Sequence, residues 1–340
     1  MPRLSILLST KNHARWLHDC IECILAQNFR DFEFLIRDDG SSDETPVILA
    51  EWAKKDSRIK FRTHEFSLGV MTSYRSLIEE ASGEYLWLTA SDDYVHDQHF
   101  LERGFKEISR HPGIGGFFSN CCRICAETGD WDGWWGWLGF RRILKGHWIL
   151  GEYQKGRLTI PGASLIMNKS YFQDIGYYKK EAGTLADLLA GLELAMAKGI
   201  IASWRFSITI RVFKNIKSAG TSNNLNDQIK SWAYFESTLR KNDKNSIYTK
   251  GWAFWRAKIL MQETAQRNPT RSKGFFDLVI KTSHFYSMEL AKLGIKDFHI
   301  TPESLYDCLL EKTSLKRFLN KWKRSILKRL YKVLFLVSKI

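Results

Sequence analysis

Strand-like and helix-like apolar patterns alternate through the first hundred residues, and this alternation restricts the fold more than any other feature. Residues 4–8 are a short continuous apolar run, the mark of a buried strand. Trp16, Leu17, Cys20, Ile21, Ile24 and Leu25 then recur at helical spacing. Phe34, Leu35 and Ile36 predict a second strand, and Pro46 opens a helix running through Trp52. A third strand is expected over 59–61. Val70, Tyr74, Leu77, Ile78 and Ala81 mark another helix that Gly83 closes, and a fourth strand covers 85–88. Such a rhythm predicts a mostly parallel sheet with helices on both faces. Beyond residue 110 it loosens. Residues 116–124 and 163–167 read as strands, 185–197 as a helix, and the tryptophan- and glycine-rich stretch 131–140 as a loop folded onto the core, a carbohydrate platform or an interfacial membrane contact.

Two acidic clusters punctuate this pattern. Asp38-Asp39-Gly40-Ser41-Ser42-Asp43 follows the second strand, and Ser91-Asp92-Asp93 follows the fourth. Paired carboxylates repel and are costly to desolvate, so a chain that places them at strand ends usually compensates them with a cation. The carboxyl ends of strands in open α/β sheets are also where ligands bind. Together they suggest a pocket for a divalent metal and a phosphorylated ligand.

With 340 residues, 44% of them hydrophobic, the chain is long enough for one substantial domain and a smaller appendage. No stretch reaches the roughly 18 apolar residues of a membrane span, and the 4–8 run is too short for a signal peptide, so a cytoplasmic location is expected. Cys20/Cys23 and Cys122/Cys125 have zinc-like spacing, but one pair falls in a helical pattern and the other in a strand-like run; reduced structural thiols are the better reading. The net charge of +14 is uneven. Residues 311–340 hold ten lysines and arginines against Glu311 alone. The basicity therefore informs on a tail partner rather than on the core chemistry.

Taken in order, residues 4–12 (LSILLSTKN), 20–27 (CIECILAQ), 32–43 (FEFLIRDDGSSD), 68–70, 81–85 (ASGEY) and 88–93 (LTASDD) resemble the inverting glycosyltransferases of family 2, which have the GT-A fold. The match is close over 3–100, thinner to about 212, and absent beyond. It implies a Rossmann-like, mostly parallel mixed sheet over 1–215, while 228–310 read on their own pattern as short amphipathic helices, so 216–311 is expected to be a helical extension.

The resemblance also implies site residues. A sugar nucleotide builds negative charge on its diphosphate as the glycosidic bond breaks, and Mn²⁺ or Mg²⁺ offsets that charge. Asp93 is the expected metal ligand, with Asp92 beside it toward the ribose or metal. Ala90 stands where the family usually carries a further acid, so substrate is expected to complete the metal's coordination. Asp39 is expected to accept the imide N–H of a uracil or thymine, with Asp38 as structural support and Asp43 as a helix cap. Ser9, Thr10, Asn12 and Gly69 join the nucleotide-binding set, with Lys11 where an aromatic often stacks on the base. The general base is expected at Asp187, where Ala186 replaces the usual Glu; Glu181 and Glu193 are second choices.

The expected activity is transfer of one sugar from a nucleotide-sugar donor, a UDP-sugar first, to an acceptor glycan or lipid-linked glycan in surface-polysaccharide synthesis. A degenerate sugar-nucleotide-binding or scaffold protein and a nucleotidyltransferase are the rivals. In 312–340, Leu315, Phe318, Leu319, Trp322 and Ile326 begin an apolar helical stripe among the cations. That pattern suits an amphipathic helix on an anionic membrane surface, peripheral on the inner face of the cell membrane. No recognition motif accompanies the charge, so nucleic acid is not expected as a partner.

Overall fold

The computed structural model describes residues 1–154, 157–213 and 225–242. The reading of 312–340 as a membrane helix, most of the 216–311 extension, and Cys308 lie outside these residues. The chain divides into two compact units, and all the features below belong to the one that contains Met1–Ser231, except that residues 232–237 of the last helix fall in the other.

The elements follow one another as β1 (Leu4–Thr10), α1 (Ala14–Leu25), β2 (Phe32–Asp38), α2 (Thr45–Lys55), β3 (Ile59–Thr63), α3 (Val70–Glu80), β4 (Tyr85–Ala90), β5 (Tyr94–Val95) and α4 (Phe100–Arg110). Then come β6 (Gly116–Cys125), β7 (Trp131–Trp135), β8 (Ile143–Leu144), α5 (Trp148–Gln154), β9 (Ile166–Asn168), α6 (Lys169–Asp174), α7 (Ala186–Ala197), β10 (Ile200–Val212) and α8 (Leu225–Asn242). They build one mixed sheet in the order β3-β2-β1-β4-β9-β6-β10-β5, with β7 on β6 and β8 on β10. Strands β3, β2, β1 and β4 are parallel, as are β6 and β10, while β9 runs antiparallel between the two groups.

The elements form where burial rewards them. All seven residues of β2 are buried, as expected of a strand covered on both faces. Helix α1 turns Leu17, Cys20, Ile21, Cys23 and Ile24 onto the sheet. The strand-helix rhythm of the first ninety residues is thus borne out element by element. Cys121, Cys122 and Cys125 lie along β6 and, like Cys20 and Cys23, are buried and not joined in disulfides. Among the described residues no helix is long and apolar enough to cross a membrane.

Three local expectations need correction. The stretch expected to be a loop contains β7, which pairs with β6 in the register Cys121↔Trp135 and Cys122↔Trp134. Residues 163–167 are only partly strand: a 3₁₀ turn at Gly162–Ser164 precedes β9. Gly83 does not close α3, whose last turn ends at Ala81. A Cβ at Gly83 would lie 2.5 Å from the Ser5 amide, so glycine is required by its close approach to β1.

Candidate active site

The parallel register aligns four strand ends. Thr10 lies opposite Asp38, Asp38 opposite Thr63, and Ser9 opposite Ala90. The chain leaves β1 toward β2 and β3 on one side, then returns to place β4 on the other. The sheet order therefore reverses between β1 and β4, and the loops after these strands diverge to leave a crevice. Ser91 ties its rim: its hydroxyl accepts from Thr10 Oγ1 at 3.0 Å and lies 2.5 Å from His13 Nδ1.

On the β2 side the two adjacent carboxylates have different surroundings. Asp38 is fully buried; its Oδ1 accepts the Ser41 amide at 3.1 Å, while its Oδ2 has no hydrogen-bond partner. Asp39 accepts from five groups: Ser67 Oγ (2.6 Å), the Leu68 amide (2.8 Å), the Gly69 amide (3.0 Å), Ser73 Oγ (3.1 Å) and His64 Nδ1 (3.4 Å). Burial pushes the Asp39 carboxyl up, but the bonds from Ser67, Leu68, Gly69 and His64 override it and hold it below the ordinary aspartate value. Asp39 thereby fixes the segment leading into α3, including Gly69, whose φ of +88° favours glycine.

The loop after β1 is laced to the same turn. Asn12 takes a left-handed φ of +53°, its amide donates to Ser41 Oγ at 2.8 Å, and its Oδ1 accepts the Ser42 amide at 2.8 Å. Asp43 accepts the amides of Ala14 at 3.1 Å and Thr45 at 3.0 Å. One carboxylate thus caps the starts of both α1 and α2. Thr10 is buried, Ser9 half-buried and Lys11 exposed.

At the end of β4, Asp93 is buried and Asp92 half-buried. Burial pushes the Asp93 carboxyl well up, the Asp92 charge pushes it further, and Arg211 pulls it down. Arg211 was not singled out in the sequence. It reaches across from β10, donates to the Asp92 carbonyl at 2.8 Å, approaches Asp19 at 3.7 Å, and stacks on Trp16 at 4.5 Å. The hint was the alternation over 207–212, which places it on a strand.

Asp187 opens α7 and rests on the turn at Gly162. An ideal Cβ there would fall 2.4 Å from Asp187 Oδ2, so only glycine lets the carboxylate sit as it does. Burial pushes this carboxyl up, and backbone amides of Leu188, Asp187 and Gly162 offset only part of that. Two tyrosines connect it electrostatically with the Asp92–Asp93 end of β4. The Asp93 and Asp92 charges reach Tyr74, and those of Asp187 and Tyr74 reach Tyr178; burial first and these charges second push both phenols up. Of the second choices, Glu193 is paired with Lys179 at 2.5 Å and Glu181 is exposed.

These residues fit a divalent cation. Two adjacent carboxylates, one buried and driven toward protonation by its neighbour, form an oxygen-donor set that a cation would relieve. Among the described residues no cluster of three or more potential ligands is assembled. That leaves most coordination positions to substrate phosphates and water, the usual arrangement for Mg²⁺-type sites.

The sheet order and its acidic crevice define a GT-A α/β domain. Residues 5–154 match glycosyl transferase family 2, and over that stretch the chain is similar to its members. A GalNAc(5)-diNAcBac-PP-undecaprenol beta-1,3-glucosyltransferase of Campylobacter jejuni is 27% identical over 188 residues, 54% of this chain and 58% of the relative. The uncharacterized glycosyltransferase EpsJ of Bacillus subtilis is 30% identical over 100 residues, 29% of each chain. The chain thus spans less than two thirds of the length of these curated relatives. The crystal structure of S. aureus TarS 1-349 in complex with UDP-GlcNAc has a TM-score of 0.58 over 86% of this chain and 83% of that one. At 15% identity this is a likeness of fold.

Proposed function

We propose that the protein transfers a single sugar, with inversion, from a nucleotide-sugar donor to an acceptor glycan carried on a lipid. The observation that carries this reading is the pairing of two kinds of carboxylate about one crevice. Asp93, buried beside the half-buried Asp92, makes a pair suited to a cation, and Asp187 is a half-buried carboxylate that backbone amides satisfy only in part. The C. jejuni relative, whose name specifies a PP-undecaprenol substrate, supports a lipid-linked acceptor. The UDP-GlcNAc bound to TarS supports a UDP-sugar donor.

In this reading Asp93 and Asp92 would hold a Mn²⁺ or Mg²⁺, which would supply positive charge against that developing on the departing nucleoside diphosphate. Arg211 fixes the turn that aims both carboxylates by holding the Asp92 carbonyl. Asp39 positions the nucleotide by ordering Ser67 to Gly69, and its longest contact, His64 at 3.4 Å, is the one a base imide would displace. Asp187 takes the acceptor hydroxyl proton as the hydroxyl oxygen bonds to the anomeric carbon and the diphosphate leaves with the glycosidic electron pair. Its raised pKa makes it a stronger base than an ordinary aspartate.

Hydrolysis of UDP-sugars in the presence of Mn²⁺ tests this directly. Asp93→Ala is expected to lower turnover by about a thousandfold or more, with the fold retained by circular dichroism. Tight nucleotide binding with no turnover, even with lipid-linked acceptor present, would sink the enzyme reading.

A further inference from the structure

The region after β7 carries an exposed apolar surface that the proposed reaction does not use. Among the described residues ten large hydrophobic side chains are exposed. Four of them meet here: Phe140 (97%), Trp204 (50%), Leu138 (48%) and Ile143 (41%). The backbone brings them together. Trp204 Nε1 donates to the Gly139 carbonyl at 2.9 Å, the Ala202 amide donates to the Arg142 carbonyl at 2.7 Å, and Ile143 pairs with Ile201 across β8 and β10. A register shift in β10 between Ser203 and Phe206 presents Trp204 and Arg205 at the surface.

The segment that carries this patch is basic. Residues 136–146 contain Arg141, Arg142 and Lys145 and no acid, and Arg205 adds a fourth cation. All four are exposed. Arg142 spends part of its charge on Glu107 at 3.5 Å, and Arg141 lies over the Trp148 ring at 5.1 Å.

We propose that this surface is a membrane contact, with Phe140 and Leu138 entering the interface of an anionic bilayer and the surrounding cations meeting lipid phosphates. Exposed indole, phenyl and aliphatic groups ringed by arginine and lysine suit the headgroup boundary, where apolar burial and electrostatic attraction add. A sugar platform would pair its aromatics with acids or amides that hydrogen-bond hydroxyls, and 136–146 has neither. A second copy docked face to face would bring like charges together.

Backbone pairing links the segment that carries the patch to the stretch leading to the candidate base. Trp137 bridges to Leu158, and the Thr159 amide donates to the Gly136 carbonyl at 3.0 Å. From there the chain runs through Pro161 to Gly162, where Asp187 rests. A bilayer at the patch would present a lipid-linked acceptor from the Asp187 side. The surface stands without the proposed reaction; only this use of it rests on that reading.

Co-sedimentation of the full chain with phosphatidylcholine vesicles, with and without phosphatidylglycerol, tests the proposal. Phe140→Asp is expected to weaken binding to the anionic vesicles about tenfold, and Arg141→Gln about fivefold. Val47→Asp, at an exposed apolar site on α2 away from the patch, is expected to change nothing. Brominated lipid provides a readout specific to the patch: its quenching of tryptophan emission is expected to be smaller in Trp204→Phe than in the wild type. Donor hydrolysis in lipid-free solution is expected to be unchanged in Phe140→Asp, separating loss of the surface from loss of catalysis. Binding of Phe140→Asp equal to wild type, equal quenching in Trp204→Phe, or no vesicle binding by the wild type would each overturn the proposal. A change of oligomeric state in Phe140→Asp with vesicle binding intact would overturn it in favour of a protein partner.

Discussion

Asp39 is buried and Asp187 half-buried, and their surroundings drive them in opposite directions. Asp39 accepts from three side chains and two backbone amides, and those donors outweigh burial. Asp187 is offset only by backbone amides, and burial wins. The difference shows that burial alone does not set a carboxylate's charge; the number of donors aimed at it does. A carboxylate saturated with donors holds a loop in place. One with few donors is left with proton affinity to use on a substrate.

The comparison can be broken at either end, and the largest effect is expected at Asp187. Asp187→Asn keeps the shape and removes the base, so kcat for transfer is expected to fall about 10²–10⁴-fold with donor affinity unchanged. The acid limb of the wild-type pH profile is expected above the ordinary aspartate range, because a base must be ionised and this one holds its proton longer. The linked stability runs the other way. A carboxyl whose folded pKa is raised contributes stability below its unfolded pKa, and that contribution is lost as pH rises through the folded value. Asp187→Asn is therefore expected to melt higher than the wild type near neutral pH. A lower melting temperature with unchanged kcat would make Asp187 a structural residue.

Gly162→Ala probes the same group without touching it. Its new Cβ would meet Asp187 Oδ2, so the carboxylate must swing away. A loss in kcat of about 10–100-fold with KM for the donor little changed is expected from such misplacement. At the other end, Asp39→Asn turns an acceptor-only group into one that places an NH₂ against donors. We expect a stability loss of about 2–3 kcal/mol by urea denaturation near neutral pH. Because the folded pKa of Asp39 is depressed, its contribution is present above the unfolded value and lost as pH falls through the folded one. The wild type and variant should therefore converge in stability in strong acid.

What could be read in the sequence follows from how local each cause is. The first four strands stand out because short apolar runs bounded by turn residues leave few alternatives. The end of β2 and the end of β4 were visible for the same reason, with their acids in plain sequence. Strand β7 was hidden because tryptophan and glycine give no clean alternation, and its pairing with β6 supplies the order. The length of β10 was hidden by Trp204 and Arg205, which interrupt its apolar run at the register shift. The donors to Asp39 come from 25 to 34 residues further along the chain. The hold of Arg211 on Asp92 spans 119 residues. Neither leaves a local pattern. Nor could spacing show that Gly162 exists to seat Asp187, since the two meet only in the fold.

Carboxyl-carbon NMR of the protein labelled at aspartate, titrated with pH and assigned through Asp39→Asn and Asp187→Asn, measures both groups in one sample. The account predicts that Asp39 titrates below the ordinary aspartate value of 3.8 and Asp187 above it. Titration of both near that value, or Asp39 above Asp187, would contradict it.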